Sequence, residues 1–158
     1  MDDGGTRVAL RAGDVAPDFT LPNQFGEAIR LSALRGGPVV VVFYPFAFSG
    51  ICTGELCDLR DNVGLFKTAK ARLLAVSVDS KYTLRAYARD EGYEFDLLAD
   101  FWPHGDVARS YGVFDEVAGM AGRGTFVVGA DGVLVDTFGT PAGQARSLER
   151  YRHALAAL

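Results

Sequence analysis

The chain has 158 residues, a length that suits a single domain over residues 1–158 with a core that needs no disulfide or metal staple. Apolar residues make up 49% and charged residues 23%, a globular balance, and a net charge of −4 at pH 7 argues against nucleic acid as a partner. The opening MDDGGTRVALRAG holds no apolar stretch suited to a signal peptide. The longest uncharged apolar run, Pro38 to Phe48, falls short of the roughly 20 residues that span a bilayer, so a cytoplasmic protein with no membrane contact is expected.

The first fifteen residues are polar and glycine-rich and are expected to be loosely held. Ala16 to Leu21 reads as a strand that Ala28 to Leu31 can pair with across a Pro22–Gly26 turn, an N-terminal β-hairpin. Ser32 to Leu34 makes one helical turn. Val39 to Tyr44, β-branched and aromatic throughout, is a strand buried on both faces, ended by Pro45. Ser49 and Gly50 suit a helix N-cap. From Ile51 the period changes, and Cys52, Leu56, Leu59, Val63 and Phe66 mark one face of a continuous helix. Leu73 to Val78 is a second buried strand, and Ser80 caps a helix to about Glu91. Phe95 to Leu98 is a short strand and Val107 to Tyr111 a short helix. Thr125 to Val128 and Val133 to Val135 form a hairpin turning at Ala130-Asp131-Gly132. Pro141 to Leu158 is the last helix, with Leu148, Tyr151 and Leu155 on one side.

This order is βαβα followed by a hairpin and a helix. It predicts an α/β fold with a mixed central sheet flanked by helices on both faces. A strand, a loop and a helix with a cysteine at its start, followed by βαββα, is the thioredoxin-fold layout; Cys-x-x-Cys is absent, which disfavours an ordinary thioredoxin or disulfide reductase. The two cysteines, at 52 and 57, are too few for a secreted scaffold. A cytosolic pair this close points to chemistry, against the alternative of two small buried hydrophobes.

The strand-to-helix turn reads Pro45-Phe46-Ala47-Phe48-Ser49-Gly50-Ile51-Cys52. Pro-x-x-x-Ser-x-x-Cys resembles the active-site motif of the peroxiredoxins, whose usual form has Thr where this chain has Ser49. The wider FYPFAFSGICTGEL, together with Asp100-Phe101-Trp102-Pro103-His104-Gly105 and Arg123-Gly124-Thr125-Phe126-Val127-Val128, is similar to the group that contains the actinobacterial AhpE-type enzymes. The matching pattern covers Ala16 to Val128. The resemblance implies a thiol peroxidase that reduces hydrogen peroxide or alkyl hydroperoxides through a cysteine thiolate and a sulfenic acid. A thioredoxin, mycoredoxin or low-molecular-weight thiol would be the reductant. A non-enzymatic redox sensor or relay begins with the same step and stays open.

The chemistry of the residues is consistent with this. A thiol must ionise to attack an O–O bond, and a free cysteine, with a pKa of about 8.5, is little ionised at neutral pH. Cys52 lies in the first turn of its helix, where unpaired N–H groups and the dipole favour an anion. By resemblance, Arg123 reaches the pocket from its strand to hold the thiolate and a peroxide oxygen, as its planar donor fork permits. Arg123 and the Cys52 N–H are the candidates for stabilising the departing oxygen, and no metal or organic cofactor is required. The resemblance also gives the Ser49 hydroxyl the task of orienting peroxide, beside its possible service as an N-cap, and Pro45 that of shielding the sulfur. Glu55 either buttresses Arg123 or is a solvated helix charge. Trp102 either packs around Arg123 or is core. His104 and His153 lack zinc-module spacing, and His104 reads as a turn residue. Phe43, Tyr44, Phe46 and Phe48 are mostly core, some of them a collar for alkyl hydroperoxides.

Two points remain from the resemblance. The group often forms homodimers through loops near the active site, for which Phe46, Phe48, Phe101 and Trp102 can supply an apolar patch. Cys57 resembles the resolving cysteine of the bacterioferritin-comigratory or Q-type peroxiredoxins, five residues after the attacking one, whereas AhpE-like members work with one cysteine. Helical spacing puts Cys57 with Thr53, Arg60, Asp61 and Gly64, on the polar face.

Overall fold

Val39–Phe43 is buried at every position, as an unbroken β-branched and aromatic run must be in a sheet covered on both faces. The computed structural model, which describes residues 9–158, places this strand at the centre of a five-stranded sheet. In chain order the elements are β1 (Thr20–Pro22), β2 (Ala28–Arg30), a 3₁₀ turn (Leu31–Leu34), β3 (Val39–Phe43), α1 (Gly50–Asp61), α2 (Gly64–Thr68), β4 (Arg72–Ser77) and α3 (Lys81–Glu91). They continue with β5 (Asp96–Ala99), α4 (Asp106–Ser110), β6 (Phe114–Asp115), β7 (Met120–Ala121), β8 (Arg123–Val128), β9 (Leu134–Thr140) and α5 (Leu148–Ala156).

The sheet order is β5-β4-β3-β8-β9. β3, β4 and β5 run parallel, and β8 is antiparallel to both β3 and β9. Alternation along the strands divides the core in two. Val40, Val42, Ala75 and Val127 meet Leu56 and Leu59 of α1, Phe66 of α2, Leu84 and Tyr87 of α3 and Tyr151 of α5. Val41, Phe43, Leu74, Val76 and Phe126 meet Val107 and Ala108 of α4, Tyr111 and the β1–β2 segment. This is the mixed, doubly covered thioredoxin fold expected from the sequence.

Because β3, β4 and β5 are parallel while Val42 pairs with Thr125 and Arg123 with Thr140, one edge of the sheet collects several chain segments. The loops after β3, β4 and β5, the start of β8 and the end of β9 all lie there. In such sheets chemistry assembles at the carboxyl ends of the parallel strands.

Three expectations are corrected, and one element was not foreseen. The helix after Cys52 is not continuous to Phe66. It ends at Asp61, Asn62 leaves helical geometry and donates from Nδ2 to the Asp58 carbonyl, and Phe66 belongs to α2. The last helix begins at Leu148, capped by Ser147, because Pro141 and Gly143 are poor helix formers and Arg146 is drawn into the interior. Residues 1–8 of the expected loose segment lie outside the described residues, but the end of it is tied down: Gly13 donates to the Leu134 carbonyl, Leu134 N donates to Asp14 O, and Val15 bridges to Val133. Finally, the β6–β7 hairpin gave no sequence signal, being only two residues a side.

Candidate active site

Tyr44 makes the last sheet-like bond after β3, its N–H donating to the Val76 carbonyl at 3.0 Å. Pro45 follows, buried and without an N–H to continue the ladder. The chain turns through Phe46 to Ser49 and enters α1 with Ser49 as N-cap residue. Ser49 does not cap through its side chain. Its Oγ donates instead to the Phe46 carbonyl at 3.0 Å, closing the turn, and its carbonyl accepts from Thr53 N at 2.8 Å. Between them Phe48 has φ 68°, the left-handed region that a bulky residue enters only when its surroundings hold it. Its ring lies on Tyr87, centroids 4.8 Å apart.

Cys52 is fully buried in the first turn of α1. Arg123, the first residue of β8, points to the same sheet face and donates from Nη2 to Cys52 Sγ at 3.1 Å. Its Nη1 donates to Glu55 Oε1 at 2.9 Å and its Nε to the Ala142 carbonyl at 2.8 Å. Every nitrogen of the fork is therefore committed, and the guanidinium is fixed against the sulfur.

Glu55 is a buried charge, its side chain 1% exposed, and not a solvated one. Besides Arg123 it accepts from Arg146: Nη2 to Oε1 at 2.6 Å, Nε to Oε2 at 2.8 Å and the backbone N to Oε2 at 2.6 Å. Arg146 Nη1 donates to Thr125 Oγ1 at 3.0 Å, which is hydrogen-bonded to the Tyr151 hydroxyl at 3.1 Å. Burial raises the Glu55 carboxyl's pKa, but the Arg146 hydrogen bonds and charge, with the charge of Arg123, outweigh it and hold the group below its ordinary value. Two arginines thus face one carboxylate and one sulfur.

Arg146 is not among the site residues expected from the sequence, because it falls in the window from Pro141 that reads as helix. A signal was present: Ser147 just before the apolar period at Leu148, Tyr151 and Leu155 marks a helix start and leaves Arg146 in a loop. Trp102 does not pack around Arg123, nor is it core. It is 81% exposed, because it follows β5 in a loop on the surface, while Arg123 is enclosed by Cys52, Glu55 and Ala142. Of the four aromatics near the turn, Phe43 and Tyr44 are fully buried, whereas Phe46 and Phe48 are 38% and 50% exposed. His104 is a surface turn residue whose Nε2 is hydrogen-bonded to the Gly119 carbonyl at 2.7 Å.

Cys57 is not on an open polar face. It is half-buried against the core, its Sγ 3.4 Å from the Tyr93 hydroxyl and 3.6 Å from Glu91 Oε1. The end of α3 covers this side of α1, which periodicity along α1 alone could not reveal. Both cysteines are free. Among the described residues no helix is long and apolar enough to cross a membrane.

The chain matches the model of the AhpC/TSA family over residues 12–137. It is 45% identical over 150 residues to alkyl hydroperoxide reductase E of Mycobacterium tuberculosis, covering 94% of this chain and 98% of that protein. To peroxiredoxin Bcp of Escherichia coli it is 37% identical over 135 residues, 82% of this chain and 85% of the relative. Among solved structures it superposes on peroxidoxin BcpB from Mycobacterium tuberculosis with a TM-score of 0.82 at 32% identity, covering 94% and 96% of the two chains. AhpC from Enterococcus faecalis gives 0.85 at 28% identity, covering 95% and 92%. A buried cysteine at a helix start, bonded to an arginine in this fold, is thus accompanied by likeness along almost the whole chain, and the protein belongs to the AhpC/TSA family of peroxiredoxins and is a thiol peroxidase.

Proposed function

We propose that Cys52 is the attacking residue and that hydrogen peroxide and alkyl hydroperoxides are its substrates. The observation that carries the reading is the 3.1 Å bond from Arg123 to Cys52 Sγ, in a guanidinium whose other nitrogens are already fixed. The thiolate attacks the terminal oxygen of the peroxide. An S–O bond forms as the O–O bond breaks, Cys52 becomes a sulfenic acid, and the departing hydroxide or alkoxide leaves as water or alcohol after taking a proton. In this reading Arg123 and the Cys52 N–H stabilise the charge developing on that oxygen. Ser49 Oγ has committed its proton to the Phe46 carbonyl, so toward a peroxide O–H it acts as acceptor. Pro45, buried at the end of β3, keeps water from the sulfur.

A thiol then reduces the sulfenic acid, releasing water and forming a disulfide. Cys57 is our candidate for that thiol within the chain, and a thioredoxin, a mycoredoxin or a low-molecular-weight thiol completes the cycle. The exposed Phe46, Phe48, Phe101 and Trp102, all at the same sheet edge, suit a homodimer. Stopped-flow mixing of reduced protein with hydrogen peroxide and with an alkyl hydroperoxide, followed by mass measurement, tests the assignment. Wild type consumes peroxide and gains oxygen or a disulfide at Cys52; Cys52→Ser keeps the fold and loses the activity, since only the thiolate is a competent nucleophile. Substantial activity in Cys52→Ser would sink it.

A further inference from the structure

Ala47, in the middle of the loop from Pro45 to Ser49, donates its N–H to Asp79 Oδ2 at 2.8 Å. Asp79 lies two residues beyond β4, and the same oxygen accepts from Ser77 Oγ at 2.7 Å. Ser77 is fully buried, so its hydroxyl aims the carboxylate. Asp79 is not required to cap α3, because Ser80 does so, accepting from Thr83 N. Its carboxylate is therefore spent on the loop.

The loop needs such a hold. Phe48 sits at φ 68°, a conformation that relaxes unless neighbours over-determine it. Three contacts do so: the Phe48 ring on Tyr87, Ser49 Oγ on the Phe46 carbonyl, and Ala47 N–H on Asp79. Only the last is charge-assisted, and such bonds are roughly twice as strong as neutral ones. Cys52 and Arg123 are held separately, by α1, Glu55, Ala142 and Arg146.

We propose that Asp79 is a positioning residue for the peroxidase reaction, which fixes the Ala47 N–H and with it the loop that carries Ser49 Oγ, three residues before Cys52; the proposal rests on Cys52 being the attacking thiol. Without the hold, Phe48 relaxes and the hydroxyl that orients peroxide moves, while the thiolate and its arginine stay in place. Misplacement of about 1 Å in an orienting group costs up to ~100-fold in rate.

The test compares Asp79→Ala with Asp79→Asn, which keeps an acceptor oxygen. The readouts are the second-order rate with hydrogen peroxide at saturating thiolate, ultraviolet titration of the thiolate, and amide exchange at Ala47 by NMR. Asp79→Ala is expected to slow the reaction ~10- to 100-fold, to speed Ala47 exchange and to leave the thiolate titration at the same or lower pH. Asp79→Asn is expected to recover most of the rate and the protection. If Asp79→Ala does not fold, Ser77→Ala against Asp79→Asn makes the same comparison. An unchanged rate in Asp79→Ala, equal losses in both variants, or a thiolate titration moved upward enough to explain the loss would overturn the proposal. So would an unprotected Ala47 amide in the wild type. A wild type that protects Ala47 yet does not react with peroxide would instead overturn the reading of Cys52.

Discussion

Arg146→Met tests the buried charge network at its least expected member. The change removes the three side-chain donors Nε, Nη1 and Nη2 but keeps the backbone N–H on Glu55 Oε2 and the bulk of the side chain. Glu55 would then be buried with only Arg123 as counter-charge, and Thr125 Oγ1 would lose one donor. Breaking a buried pair costs about 3–5 kcal/mol. At roughly 2–4 °C per kcal/mol for a chain of this size, the melting temperature should fall by roughly 6–20 °C at pH 7. The sign with pH also follows. The Glu55 carboxyl is held below its ordinary value of 4.5, so its stabilisation is present above that value and is lost as pH falls through the folded-state pKa. The gap between wild type and variant should therefore close on acidification below pH 4.5. The rate of peroxide attack should fall by less than ~10-fold, since Arg123 retains Glu55, Ala142 and Cys52. Adding Glu55→Gln to Arg146→Met should recover part of the stability by removing the uncompensated charge. Calorimetry across pH 3–8 with stopped-flow kinetics decides. A melting temperature within ~2 °C of wild type, or a gap that widens in acid, would refute the reasoning.

Two further outcomes are expected. Arg123→Met should slow peroxide attack at saturating thiolate by at least ~10-fold, about 1.4 kcal/mol of barrier, and Arg123→Lys should recover only part, because a point charge cannot serve sulfur, Glu55 and Ala142 together; an unchanged rate constant contradicts this. The aromatic residues exposed at the site edge should make the protein dimeric in light scattering at micromolar concentration, and a monomer throughout would remove that claim.

How much of this was legible depends on the range of each interaction. β3 and β4 were readable because burial on both faces demands an unbroken apolar run. The start of α1 was readable because Pro45, the cap residues Ser49 and Gly50 and a new period announce it locally. The roles implied for Cys52, Ser49 and Pro45 rest on the resemblance of an eight-residue motif to that of the peroxiredoxins, and such a motif is local. Arg146 meets Glu55 across 91 positions and Asp79 meets Ala47 across 32, and no local period encodes such pairs. Glu55 shows the same limit from the other side: one turn after Cys52 it looks identical as a surface charge or a buried anchor, and only the approach of two arginines from distant loops decides. Cys57 was misplaced because a helical wheel describes one helix, whereas its surroundings are set by α3.

That placement sharpens the case for a resolving role. Cys52 Sγ faces Arg123, and Cys57 Sγ faces Tyr93 and Glu91. In an intact helix, residues five apart point about 140° apart, with Cα atoms roughly 8–9 Å from each other. A disulfide usually needs Cα atoms within about 7 Å, so the first turns of α1 must unwind. The structure names what opposes this. Thr53 Oγ1 is hydrogen-bonded to the Tyr87 hydroxyl at 3.0 Å, and the Tyr93 hydroxyl donates to the Thr53 carbonyl at 3.4 Å. Burial holds the Tyr93 phenol well above its ordinary pKa, so it stays a donor. Gly54 favours opening, lowering the cost by up to ~1 kcal/mol relative to Ala. Oxidation also converts the thiolate that Arg123 holds into a neutral sulfenic acid, which removes the charge component of that bond just when release is needed. One equivalent of peroxide should therefore yield an intramolecular Cys52–Cys57 disulfide together with a loss of far-ultraviolet helix signal. Cys57→Ser should retain the helix and accumulate sulfenic or over-oxidised Cys52. Peptide mapping of the oxidised wild type decides: Cys57 found free, with only sulfenic or over-oxidised Cys52, would leave a one-cysteine enzyme in which Tyr93 and Glu91 simply pack a half-buried thiol.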